Sequence, residues 1–131
     1  MSQENVEVVK ASIAALNARN MEAVRETLDP NLIVARELEG WPESGPFVGR
    51  DAVIRSWQLI MEPWPDPTVE LVSIIDAGDR VVTRQIAHGK GHGPEMKIEY
   101  TVVSTFRKGK VLILEYYWRH AEALEDLGLS E

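Results

Sequence analysis

The sequence predicts an α+β fold in which a strongly curved antiparallel sheet carries three helices on its concave face. Three observations predict it. Apolar residues near the start recur at spacings of three and four, the period of one helical face. From Val69 onward, β-branched and aromatic residues dominate, interrupted by short turn-forming clusters. The run Val111 to Trp118, VLILEYYW, is apolar at both parities, so both faces of that strand must be covered. A single layer of helices covers one face. In a chain of 131 residues the expected supplier of the other layer is a second copy of the molecule, giving a homodimer through the convex face of the sheet.

Taken in order, Val6, Val9, Ile13 and Leu16 define a helix over Gln3–Ala18, with Ser2 as its cap. A second helix runs from Met21 to Leu28, capped by Asn20 and stopped at Asp29-Pro30-Asn31. Leu32–Leu38 reads as a short strand interrupted by Arg36. Residues 39–49, EGWPESGPFVG, form a loop, and its Trp41 and Phe47 are aromatics that a solvated loop does not need, so it is expected to fold over something. Asp51 caps a third helix, Ala52–Met61, with a stripe of Val53, Trp57, Ile60 and Met61, and prolines at 63, 65 and 67 end it. Four strands follow: Val69–Ile75, Val81–His88, Met96–Arg107 and Val111–His120. Residues 121–129 are a short closing helix or an irregular tail. This order lays the helices on one side of a sheet bent into a half-cone, and Trp41, Phe47, Trp57 and Trp64 fall where they line or lid the pocket between them.

Bulk properties narrow the function classes. The whole chain, residues 1–131, reads as one domain. It has no cysteine, which excludes a disulfide framework and a thiolate metal site and fits a cytoplasmic location. A net charge of −7 argues against nucleic acid or an anionic membrane as partner. No secretory leader and no membrane-spanning stretch is visible. Serine-hydrolase, nucleotide-binding and zinc-protease motifs are all missing from the sequence, and no cofactor is expected. His88 and His92 flank a glycine-rich turn with no carboxylate placed to complete a set, so no metal is expected.

Four stretches in their order, ENVEVVKASIAALNARNMEAVRETLDPNLIV, GPFVGRDAVIRSW, IDAGDRVV and GKVLILEYYWRHAEALEDLGL, resemble the SnoaL-like branch of the NTF2-like superfamily over nearly the whole chain. The resemblance implies a cone-shaped α+β fold and a homodimer. It implies an activity among polyketide cyclases, ketosteroid isomerases, limonene epoxide hydrolases and members used only for binding or assembly. Members of this kind often carry Tyr-x-Asp near the end of the last strand; here the tyrosine is Tyr117 and the aspartate position is Arg119. They also often place a histidine in the penultimate strand, where this chain has Thr101-Val102-Val103-Ser104.

Proton transfer on a carbonyl compound needs a carboxylate or imidazole near the substrate and a donor for the developing enolate. The catalytic candidates are therefore Glu115, His88 and Tyr117. Glu115, alone in an apolar strand, is either turned into the pocket or paired with a base across the sheet. Arg84 and His88 share parity with Val82 and Ile86, so they enter the pocket or lie on the outer surface together. The substrate-binding candidates are Arg36, Trp41, Phe47, Trp57, Met61 and Arg84. Adjacent tyrosines cannot both face inward, and the family tyrosine selects Tyr117, leaving Tyr116 and Trp118 to the other face. Glu37 and Glu99 fall near strand ends and read as solvent-exposed. The partner expected is a hydrophobic small molecule, taken either by a cofactor-independent cyclase- or isomerase-type enzyme or by a non-catalytic binding or protein-interaction domain of the same fold.

Overall fold

The computed structural model describes residues 2–40, 47–89 and 95–129. Helix α1 spans Ser2–Asn17, α2 Met21–Glu26 and α3 Arg50–Met61; strand β1 spans Leu28–Arg36, β2 Thr68–Asp76, β3 Arg80–Gly89, β4 Met96–Arg107 and β5 Lys110–Tyr117; α4 closes at His120–Asp126. The strands form one sheet in the order β1-β5-β4-β3-β2, antiparallel except for the parallel pair β1 and β5.

Local chemistry accounts for most boundaries. The Asn20 side chain accepts from the Ala23 N–H at 3.1 Å and starts α2. Asp29-Pro30-Asn31, expected to stop that helix, lies inside β1 instead, and Thr27 is the C-cap. The expected cap Asp51 sits in the first turn of α3 and pairs with Arg25 at 2.9 Å, tying α2 to α3, while Gly49 occupies the N-cap position. Between β4 and β5, Lys108 and Gly109 both take positive φ, 51° and 78°, as a two-residue hairpin turn of matching twist requires. Register shifts in β1, between Leu71 and Ser73, and between Thr105 and Phe106 bend the sheet.

Helices α1, α2 and α3 cover the concave face. Val6, Val9, Val24, Val53 and Ile54 meet Leu32, Val81, Val102, Phe106, Val111 and Leu114 in the main core. The sequence places three helices on the sheet, and the fourth lies on the opposite face: Ala123 and Leu124 of α4 pack on Val82, Val103 and Tyr117. The two-sided apolar character of β5 is thus explained in part within the chain itself. Among the described residues no helix is long and apolar enough to cross a membrane.

Candidate functional site

Between the helices and the concave face lies a cavity of about 200 Å³. Its walls come from α1 (Val9, Ile13, Leu16), α3 (Trp57, Ile60, Met61) and the inward parity of the central strands (Ala87, Ile98, Val102, Leu114). Phe47 closes over it from the loop before α3. Most of this surface is apolar. Polar groups interrupt it: the Glu37 carboxylate, the Gln85 amide, the His88 imidazole and the hydroxyls of Ser12, Ser56, Thr68, Ser104, Tyr100 and Tyr116.

Glu37 follows directly on β1, whose pairing with β5 carries the chain along that strand toward Tyr116. It is half-buried, and its Oε1 is shielded with no hydrogen-bond partner among the described residues. A buried carboxylate oxygen without a donor costs free energy, so its presence needs an explanation beyond stability. The expectation that Glu37 is solvent-exposed is corrected here: it is half-buried and lines the cavity together with Phe47 and Trp57.

Tyr116 takes the inward position on β5, and its hydroxyl oxygen accepts from Trp57 Nε1 at 3.1 Å. Burial pushes its phenol up to about 12 against the opposing effect of that hydrogen bond. The group is therefore a neutral donor at neutral pH, and its own proton is left for a ligand. The Tyr100 ring lies 6.1 Å from that of Tyr116, tilted by 44°, and burial together with Tyr116 also moves its phenol upward. The two tyrosines put donors on an otherwise greasy floor.

The expected site residues divide by face. Phe47, Trp57 and Met61 line the cavity. His88 sits at its rim with Nε2 2.9 Å from Glu70 and Nδ1 3.9 Å from Glu95, so its imidazole is engaged by carboxylates. Trp41 lies outside the described residues, as does His92. Glu115, Tyr117, Arg36 and Arg84 are not in the cavity. Arg84 is bound to Glu99 at 2.7 Å on the outer face. Arg36 reaches Glu122 and Asp126 of α4 and lies 4.2 Å over the Tyr117 ring. The Tyr117 hydroxyl donates to Asp126 at 3.1 Å, and burial, with that carboxylate next, pushes it up to about 12. The family pattern puts Tyr117 inside and Tyr116 outside; the strand presents them the other way round. Glu115, in register with Arg36 and Val103, shares the outer parity of Tyr117.

The family model of the SnoaL-like domain matches residues 9–114. The chain belongs to the SnoaL-like family. No functionally curated protein matches its sequence. Among solved structures this SnoaL-like domain is similar to Bal32a from a soil-derived mobile gene cassette, at 19% identity and a TM-score of 0.81 over 95% of this chain and 96% of that one. It is similar to TerC, which was co-crystallised with polyporic acid, at 20% identity and a TM-score of 0.75 over 93% and 96% of the two chains. It also resembles a provisionally assigned SnoaL-like polyketide cyclase from Jannaschia sp. CCS1, at 18% identity and a TM-score of 0.73 over 94% and 90%. These likenesses establish the NTF2-like fold.

Proposed function

We propose that this SnoaL-like domain is a cofactor-independent proton-transfer enzyme of the cyclase or isomerase type, acting on a hydrophobic carbonyl compound held in the cavity. The observation that carries this reading is Glu37, a carboxylate in the lining of a mostly apolar chamber, whose Oε1 is shielded and has no hydrogen-bond partner among the described residues. Glu37 takes the proton next to the substrate carbonyl. Tyr116, held by Trp57, donates to the oxygen on which charge develops, and does so where water is largely displaced. The polycyclic or quinonoid character of a substrate is supported by the aromatic lining of Phe47, Trp57, Tyr100 and Tyr116 and by what TerC was crystallised with. A homodimer through the part of the outer face that α4 leaves open belongs to the same reading and is measured by sedimentation.

The test begins with a thermal-shift screen against steroids, aromatic polyketides, terpenoid epoxides and fatty acids. A ligand at 100 times its dissociation constant adds about 2.7 kcal/mol, a shift of several degrees. Carbonyl compounds that bind are then incubated with the protein in D2O, and loss of the proton next to the carbonyl is followed by NMR. Glu37→Gln is expected to slow that exchange by roughly 10²–10⁴-fold while ligand binding persists. Exchange at an unchanged rate in Glu37→Gln removes Glu37 as the base. A ligand that binds but exchanges no faster than in buffer leaves a binding domain, the reading that the apolar lining otherwise favours.

A further inference from the structure

Gln85 stands on the cavity side of β3, buried at 9% exposure. Its Nε2 donates to Thr83 Oγ1 at 2.8 Å, two residues earlier on the same face of the strand. Thr83, with no exposed surface, directs its own hydroxyl to the Val102 carbonyl of β4 at 3.4 Å. The order of this relay fixes the amide. The single Thr83 proton is committed to Val102, so Oγ1 can only accept, and Gln85 turns Nε2 toward it and Oε1 away. Oε1 then has no hydrogen-bond partner among the described residues.

Directly across the ladder from Gln85 is Tyr100, whose hydroxyl also has no hydrogen-bond partner among the described residues. An acceptor and a donor thus stand side by side in register, while the next inward residues, Ala87 and Ile98, are apolar. A leucine at position 85 would fill the same space without burying an amide. Oε1 is open to the cavity and lacks a protein donor, so it is an acceptor that a ligand hydroxyl can match. A ketone could accept from Tyr100 but would leave Gln85 unmatched. A hydroxyl does both, accepting from Tyr100 and donating to Gln85.

We propose that Gln85 is a specificity-determining residue that accepts a hydrogen bond from a hydroxyl group of the ligand, so that the substrate class is a hydroxylated hydrophobic carbonyl compound. Thr83 is the positioning residue that holds the amide in the receiving orientation. The proposal rests on the cavity being the ligand site of the proton-transfer reading, but it does not depend on Glu37 being a base.

The experiment uses acetonaphthone and its ring-hydroxylated analogue, two flat aromatic ketones that differ by one hydroxyl, with binding read from quenching of tryptophan fluorescence. The intact protein is expected to prefer the hydroxylated ketone by about tenfold or more, the equivalent of one well-made buried hydrogen bond. Gln85→Leu is expected to bind the two alike while keeping its affinity for the hydroxyl-free ketone. Thr83→Val loses part of the preference and Thr83→Ser restores it, with melting curves confirming that each variant is folded. The proposal is overturned if Gln85→Leu retains the full preference, or if the intact protein binds neither ketone or both equally. Glu37→Gln separates the two readings. A hydroxyl preference that depends on Gln85, with proton exchange indifferent to Glu37, would sink the catalytic reading alone.

Discussion

On the outer face of the sheet Arg84 grips Glu99, Arg36 reaches Glu122 and Asp126, and Tyr117 donates to Asp126. On the concave face, a strand's thickness away, Glu37 Oε1, Gln85 Oε1 and the Tyr100 hydroxyl have no hydrogen-bond partner among the described residues. Both faces carry polar groups, so polarity alone does not tell them apart. What differs is completion. A paired group on a half-exposed surface is finished by the fold and contributes modestly to stability. A group left incomplete in an enclosed, apolar chamber is a cost that folding alone does not offset, and it is expected where a ligand supplies the missing partner.

The sharpest way to break this contrast is to neutralise one glutamate on each face. Glu37→Gln should lower proton exchange by roughly 10²–10⁴-fold, whereas Glu115→Gln on the outer parity of β5 should leave it within about twofold. Equal losses in the two variants would mean that the faces do not divide labour as their hydrogen bonding implies. The next effect is on stability. Leu124→Ala removes a buried anchor of α4 at 2% exposure and should cost about 2–4 kcal/mol, lowering Tm by roughly ten degrees. Ligand affinity should stay unchanged; a parallel fall in affinity would show that the outer layer shapes the cavity.

The smallest effect is pH-dependent and belongs to the paired class. Asp29 is buried, accepts from the Asn31 N–H at 2.8 Å and is bound by Arg107 at 2.9 Å. The Asn31 hydrogen bond first, and then the Arg107 guanidinium, hold its carboxyl below the usual carboxylate value. A carboxylate depressed in the folded state contributes stability above its unfolded pKa of about 3.9, and that contribution is lost as pH falls through the folded value. Arg107→Ala should therefore lower Tm at neutral pH, with the gap to the parent narrowing on acidification. A gap that is constant or widens toward acid pH would place the Arg107 contribution elsewhere.

The pattern of strands and helices is legible in the sequence because periodicity and turn chemistry report it directly, down to the Lys108-Gly109 turn. Which parity faces the cavity is not. In β5 both parities are apolar, so alternation cannot choose between Tyr116 and Tyr117. In β3 the alternation misleads: Val82 and Ile86 point outward, where α4 covers Val82, while Thr83 and Gln85 point inward to the cavity side. Hydrophobic alternation assumes that the inward face is a filled core, and a cavity violates that assumption. Glu37 is hidden from such reasoning because strand ends are usually solvated, whereas here Phe47 and Trp57, ten and twenty positions on, line the same cavity. The polar row of β3 is the signal that points to the chamber, since a glutamine and a threonine at inward spacing in a central strand have no role in a dry core.

The parallel pairing of β1 with β5 joins residues eighty positions apart, Ile33 with Ile113, whereas β2 through β5 are successive hairpins. Closing so long a loop carries more chain entropy than zipping neighbours, so the meander is expected to assemble first and β1 to dock late. Glu37 arrives with that last strand. During refolding, sheet signal should therefore appear before the chamber can hold a ligand, a lag that stopped-flow fluorescence with a bound ketone would register; simultaneous onset would mean that β1 is part of the folding nucleus. Synthesis order adds to the delay, because β1 leaves the ribosome long before its partner strand exists. The Glu37 carboxylate is thus kept out of place until the rest of the molecule has been made.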